Sequence, residues 1–137
     1  MQVNPYLFFN GNCEEALKYY QKVLNAEIEA ILPYENGPAD MPTPPEWKKK
    51  VMHAKITIDG EVIMASDAFP GHFNPPQGFA VSLQVGDPGD AALRFRALSD
   101  GGTVTMPFAK TFFSKGFGMC IDKFGTPWMV NSPLEGM

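Results

Sequence analysis

His53 and Lys55 stand two residues apart in Val51-Met-His-Ala-Lys-Ile-Thr-Ile58, so on a strand their side chains leave the same face. An imidazole there can act as a base or a metal ligand, and the neighbouring ammonium can hold an anionic substrate. The plainer readings are a polar strand position and a lysine snorkelling to water. Cys13 falls in the first turn of an expected helix, where the helix dipole lowers a thiol pKa unless the residue is buried against a sheet. Cys120 is expected to face a ligand site if Met119 and Ile121 face a helix; it then serves as a nucleophile or simply packs. Asp67 closes a strand and reads as a general base or as turn chemistry. His72 lies in a Gly/Pro loop. Phe112, Phe113 and Phe117, with Lys115 and Gly116 between them, can cover a site or a subunit contact.

The elements that must position these groups are legible. Pro5-Tyr-Leu-Phe-Phe9 is an aromatic-rich strand, and Asn10-Gly-Asn12 a turn. A helix is expected over Cys13–Leu24, capped by Asn12 with Glu15, because Ala16, Leu17, Tyr20, Val23 and Leu24 line one helical face. Glu27 to Leu32 is a strand. Pro33, Pro38, Pro42, Pro44 and Pro45 make the following stretch to Trp47 a long surface loop. From Val51 the pattern alternates, with Ala54, Ile56 and Ile58 toward the core and His53, Lys55 and Thr57 away from it. Asp59-Gly60 turns the chain into Glu61-Val-Ile-Met-Ala65. A second Pro/Gly-rich loop covers Phe69 to Gly78. A strand over Phe79 to Val85 then leads, through Asp87-Pro88, into a helix that stops at Gly101-Gly102.

The second half repeats the first. Glu15-Ala-Leu-Lys-Tyr19 lies over Ala91-Ala-Leu-Arg-Phe95, and Gly60-Glu-Val-Ile-Met64 over Gly125-Thr-Pro-Trp-Met129. Each half reads strand, helix, then about three strands, the mark of an internal duplication. The expected organisation is one domain of two modules, about 1–67 and about 79–137, joined by the Pro/Gly-rich loop. A chain of 137 residues with a net charge of -4 and 11 Lys+Arg against 15 Asp+Glu lacks the basic face of a nucleic-acid protein. It also shows neither a run of about 18 apolar residues nor a secretory leader, so a cytoplasmic protein with no membrane partner is expected. The two cysteines form no CxxC pair and are expected to be free thiols.

Tyr6-Leu-Phe-Phe-Asn-Gly-Asn-Cys-Glu-Glu-Ala16 and Gly118-Met-Cys-Ile-Asp-Lys-Phe-Gly-Thr-Pro-Trp-Met-Val-Asn131 resemble the PhnB-like branch of the vicinal oxygen chelate (glyoxalase/bleomycin-resistance) superfamily. The resemblance implies an α+β fold in which two βαβββ modules form a cup-shaped mixed sheet around a small-molecule site, usually in a homodimer. In the superfamily's metalloenzymes, His and Glu ligands come from the first and last strands of each module. Carried onto this sequence, those places fall on Pro5, Met64, Ala80 and Met129, which offer no imidazole or carboxylate. No metal and no other cofactor is therefore expected. The branch is often labelled a 3-demethylubiquinone-9 3-methyltransferase, yet no glycine-rich GxGxxG turn follows a strand here.

The strand faces opposite the helices carry His53, Lys55, Met64, Ser66, Ser82, Gln84, Met129 and Asn131, together with Thr57, Val62 and Ala80; Cys120 is placed with them. Such a mixed wall suits a ligand pocket, or equally a solvated sheet face. Trp128, pointing opposite to Met129, is expected in the core. The expectation is a metal-free protein binding an apolar or aromatic small molecule. The alternatives are a divergent enzyme of the superfamily using His53, Lys55, Asp67 or Cys120, and the labelled methyltransferase.

Overall fold

The computed structural model describes residues 1–136. They form two compact units, one spanning Met1–Asn74 and one from Pro75 onward. The first unit contains β1 (Tyr6–Phe9), α1 (Cys13–Leu24), β2 (Glu27–Pro33), β3 (Val51–Ile58) and β4 (Glu61–Asp67). The second contains β5 (Val81–Gln84), α2 (Pro88–Ser99), β6 (Thr103–Ala109), β7 (Ser114–Ile121) and β8 (Pro127–Pro133). Each unit has its own four-stranded sheet, ordered β1-β4-β3-β2 and β5-β8-β7-β6. In each, the first strand lies parallel to the last while the remaining pairs are antiparallel. The architecture is α+β with two similar modules and two sheets.

In the first unit, Cys13, Ala16, Leu17, Tyr20 and Leu24 are the buried stripe of α1. They cover Leu7 and Phe9 of β1, Ala54 and Ile56 of β3, and Ile63 and Ala65 of β4, all buried. In the second unit, Ala91, Phe95 and Leu98 of α2 cover Val81, Trp128 and Val130. Here β7 contributes glycine: a Cβ at Gly118 would stand 2.8 Å from the Phe95 ring, so the missing side chain is what lets the helix sit down on the sheet. The helix boundaries agree with the sequence pattern, but the repeat shifts by one residue inside the helices. Both helices begin one residue after their N-caps, Asn12 and Asp87, which aligns Ala16 and Tyr20 with Ala91 and Phe95, whereas Leu93 is 62% exposed.

The two helix starts are secured differently. Asp87 caps α2 in the ordinary way, its Oδ2 accepting from Asp90 N at 2.8 Å. Asn12 makes no side-chain cap, contrary to the expectation. Asp67, from the end of β4, takes that place: its Oδ1 accepts from Gly11 N at 2.8 Å and Cys13 N at 2.9 Å. The proline-rich stretch after β2 is also less free than its composition suggests. It forms short 3-10 turns at Tyr34–Asn36 and Pro45–Trp47, and buried Tyr34 donates its hydroxyl to Asp67 O at 2.7 Å.

Candidate functional site

The sheet face of the first unit that turns away from α1 is built in rows set by strand register. Tyr6 of β1 lies beside Met64 of β4, and Met64 beside Lys55 of β3. The next row carries Phe8 beside Ser66 on β1 and β4, and His53 beside Leu32 on β3 and β2. Because β1 alternates, Leu7 and Phe9 enter the core while Tyr6 and Phe8 emerge on this face. Their rings are 4.9 Å apart, and the Tyr6 ring lies 5.7 Å from His53. The Tyr6 hydroxyl and His53 Nδ1 are hydrogen-bonded at 3.1 Å. Phe8 remains 54% exposed, and Ser66, beside Phe8, is buried.

Of the residues expected on this face, His53, Lys55 and Met64 are brought together on it, with Ser66 beside Phe8 in the register. Tyr6 and Phe8 are the functional candidates that sequence reasoning passed over. Their signal was the alternation Tyr-Leu-Phe-Phe, in which Leu7 and Phe9 match the buried parity.

In the second unit the corresponding face carries Ser82 beside Met129 beside Met119, and Gln84 beside Asn131 beside Phe117. Asn131 Nδ2 donates to Gln84 Oε1 at 2.8 Å, and Gln84 Nε2 donates to Ser82 Oγ at 2.8 Å. Phe117 is capped edge-on by Phe113 at 5.2 Å, with Phe112 packed edge-on to Phe113 further out and 95% exposed. Ser82, Gln84, Met129 and Asn131 thus share one face. Cys120 does not join them. It lies beside Trp128 in the register and is 1% exposed, so it belongs to the helix side, and Met119 has the outward position that was expected for it. Burial, with the Asp122 carboxylate adding to it, pushes the Cys120 thiol up to about 11.

Cys13 also departs from expectation. Its thiol is raised rather than lowered, by burial first and then by the charges of Asp67 and Glu14, which outweigh the helix dipole. Asp67 is 1% exposed and its second oxygen accepts from Val51 N at 2.9 Å; a carboxylate committed to three backbone amides is a structural anchor, not a free base. It closes the floor of a polar cleft of about 360 Å³ that includes Gly11, Glu14, Lys18, Lys49 and Lys50. In that cleft Lys18 and Glu14 pair at 2.9 Å.

A metal held jointly by the first and last strands of a module needs donors side by side on one face. The register gives Tyr6 with Met64 and Ser82 with Met129. The first-strand places are therefore Tyr6 and Ser82, a correction of Pro5 and Ala80. Neither the phenol and thioether of the first unit nor the alcohol and thioether of the second suits the hard divalent ions bound by imidazole and carboxylate. Among the described residues, no three His, Cys, Asp or Glu side chains converge on a common point.

Paired βαβββ-type modules with outward-facing polar and aromatic rows define a protein of the glyoxalase/bleomycin-resistance fold. The same fold is found in a glyoxylase/bleomycin resistance protein/dioxygenase domain from Frankia sp. EAN1pec, with a TM-score of 0.69 at 14% identity over 100% of this chain and 94% of that one. Within that class the chain belongs to the family described as 3-demethylubiquinone-9 3-methyltransferase, whose model matches residues 1–131. Its relatives include protein YjdN of Escherichia coli K12, 35% identical over 142 residues, covering 96% of this chain and 95% of that protein. Protein PA1353 of Pseudomonas aeruginosa is 42% identical, with a TM-score of 0.84 and 96% of each chain covered. The PhnB protein of Bacillus cereus is 27% identical, with a TM-score of 0.78, covering 96% of this chain and 98% of that one. No helix among the described residues is long and apolar enough to cross a membrane.

Proposed function

We propose that the protein binds a small apolar or aromatic molecule on the outward sheet face without the superfamily's usual metal. The observation that carries this reading is the half-exposed aromatic cluster of Tyr6 and Phe8 above Met64, backed by the hydrogen-bonded His53. Flat rings and a flexible thioether give adaptable apolar contact, and a few polar groups beside them fix orientation. The family's description names a methyltransferase, but neither sheet is the alternating βα parallel sheet with a glycine-rich turn on which a dinucleotide-like cofactor usually sits.

The test is native mass spectrometry of the purified protein, followed by thermal-shift screening of aromatic small molecules. A bound or stabilising aromatic compound is expected, and Phe8→Ala is expected to weaken it by about tenfold, the order of one lost ring contact. A ligand whose affinity ignores Phe8→Ala would place the site elsewhere. Elemental analysis is expected to find well below one Zn, Ni, Mn or Fe per chain. A stoichiometric metal lost in His53→Ala would replace the binding reading with that of a divergent metalloenzyme. The Tyr6–His53 hydrogen bond favours a second reading, proton-transfer catalysis by that pair. The fate of the ligand separates the two: recovered unchanged it supports binding, recovered converted it supports catalysis.

A further inference from the structure

Lys55 occupies the row of Tyr6 and Met64, and His53 the adjoining row, on the same strand. Lys55 is exposed and has no ion-pair partner among the described residues. Glu29, on neighbouring β2, instead accepts from Thr57 Oγ1 at 3.1 Å. The Tyr6 hydroxyl and His53 Nδ1 lie 3.1 Å apart; in the tautomer that carries the ring proton on Nε2, the hydroxyl donates to Nδ1 and Nε2 is free to donate to a ligand on the face. Residues two apart on a strand are separated by roughly 7 Å along the backbone, so an ammonium on a four-carbon stem and an imidazole N–H can reach the same small group. Apolar surface lies beside them: Met64 between Lys55 and Tyr6, and Phe8 against the Tyr6 ring.

We propose that the ligand is an organic acid, its carboxylate held by Lys55 and the Tyr6-supported His53 and its aromatic or apolar body laid on Phe8, Tyr6 and Met64. This inference rests on the binding reading above and adds the chemical class of the ligand. Lys55 supplies one formal positive charge and His53 one directed donor, a complement that matches a monoanion. The only arginines, Arg94 and Arg96, are in α2 of the second unit, so the first unit itself supplies none of the forked donors typical of phosphate clamps. The overall charge of -4 offers no general attraction to anions, which leaves the pairing to this local group.

Isothermal titration of the full chain with 2-naphthoate and with 2-naphthamide, identical in shape but not in charge, tests the proposal. Naphthoate is expected to bind about tenfold more tightly, the size of a charge-assisted contact at a partly exposed site. Lys55→Met is expected to bring the two probes within about twofold of each other, and Lys55→Arg to keep the acid preferred, with melting curves confirming that both variants fold. Equal binding of the two probes to the wild type overturns the acid assignment while leaving the binding reading standing. Binding of naphthoate that Lys55→Met does not weaken also overturns the assignment. Binding of neither probe overturns both.

Discussion

Asp67→Ala is expected to lose about 4 kcal/mol of unfolding free energy, a large share of the roughly 5–15 kcal/mol available to a domain. The carboxylate accepts from Gly11 N, Cys13 N and Val51 N, and the last two of these amides are buried. Removing it leaves them without partners in a place water does not reach, so each exacts its own desolvation cost. The three amides belong to the turn after β1, the first turn of α1 and the first residue of β3, and Asp67 itself ends β4, so one side chain ties four segments together. Asp67→Asn is expected to cost less, about 2 kcal/mol, because one amide oxygen can still serve Gly11 and Cys13 while the amide nitrogen faces the Val51 donor. Urea unfolding with an unchanged m-value measures both. A loss below about 1 kcal/mol for the alanine variant would show that these amides find other partners.

That network also shows where sequence reading succeeded and where it stopped. The helix over Cys13–Leu24 and the alternation of β3 were legible because their periods are local, written within a dozen residues. Ala54 and Ile56 are buried as that alternation requires, and Trp128 is 0% exposed, its Nε1 held by Asp122 Oδ2 at 2.8 Å. Asp67 was legible only as an acid at a strand end, because its partners stand 56, 54 and 16 residues away, and no period announces such pairings. The face of Cys120 was misplaced for a related reason. In β7, Gly116 and Gly118 occupy buried positions under Phe108 and Phe95, so the inward parity carries no apolar side chains there and Met119 and Ile121 look like the core stripe. The repeat placed Met64 and Met129 correctly as matching positions, each beside its module's first strand. It could not say that Tyr6 and Ser82 are the residues next to them, since that depends on the parallel register.

Both thiols are expected to be inert in the native protein and reactive once it unfolds. Cys13 is 0% and Cys120 1% exposed, and burial holds both in the neutral thiol form, with Asp67 and Glu14 repelling a thiolate at Cys13 and Asp122 at Cys120. An unfolded cysteine ionises near pH 8.5, whereas folded Cys120 waits until about 11. At pH 8 an aromatic disulfide reagent is therefore expected to label the folded chain at least about a hundredfold more slowly than the chain in urea. The same difference sets a sign for stability. Between those two pKa values the native state keeps a proton that the unfolded state has released, so unfolding becomes easier as pH rises. The contribution of Cys120 is whole below about pH 8.5 and is lost by the time the pH passes about 11. The stability gap between wild type and Cys120→Ala is expected to narrow by about 3 kcal/mol across that window, while Cys13, shifted further in the same direction, contributes equally to both proteins and cancels. Denaturant unfolding of the pair at pH 7, 9 and above checks it. A gap that stays constant with pH, or rapid labelling of the native chain, would mean that Cys120 reaches solvent and that β7 does not present it to α2.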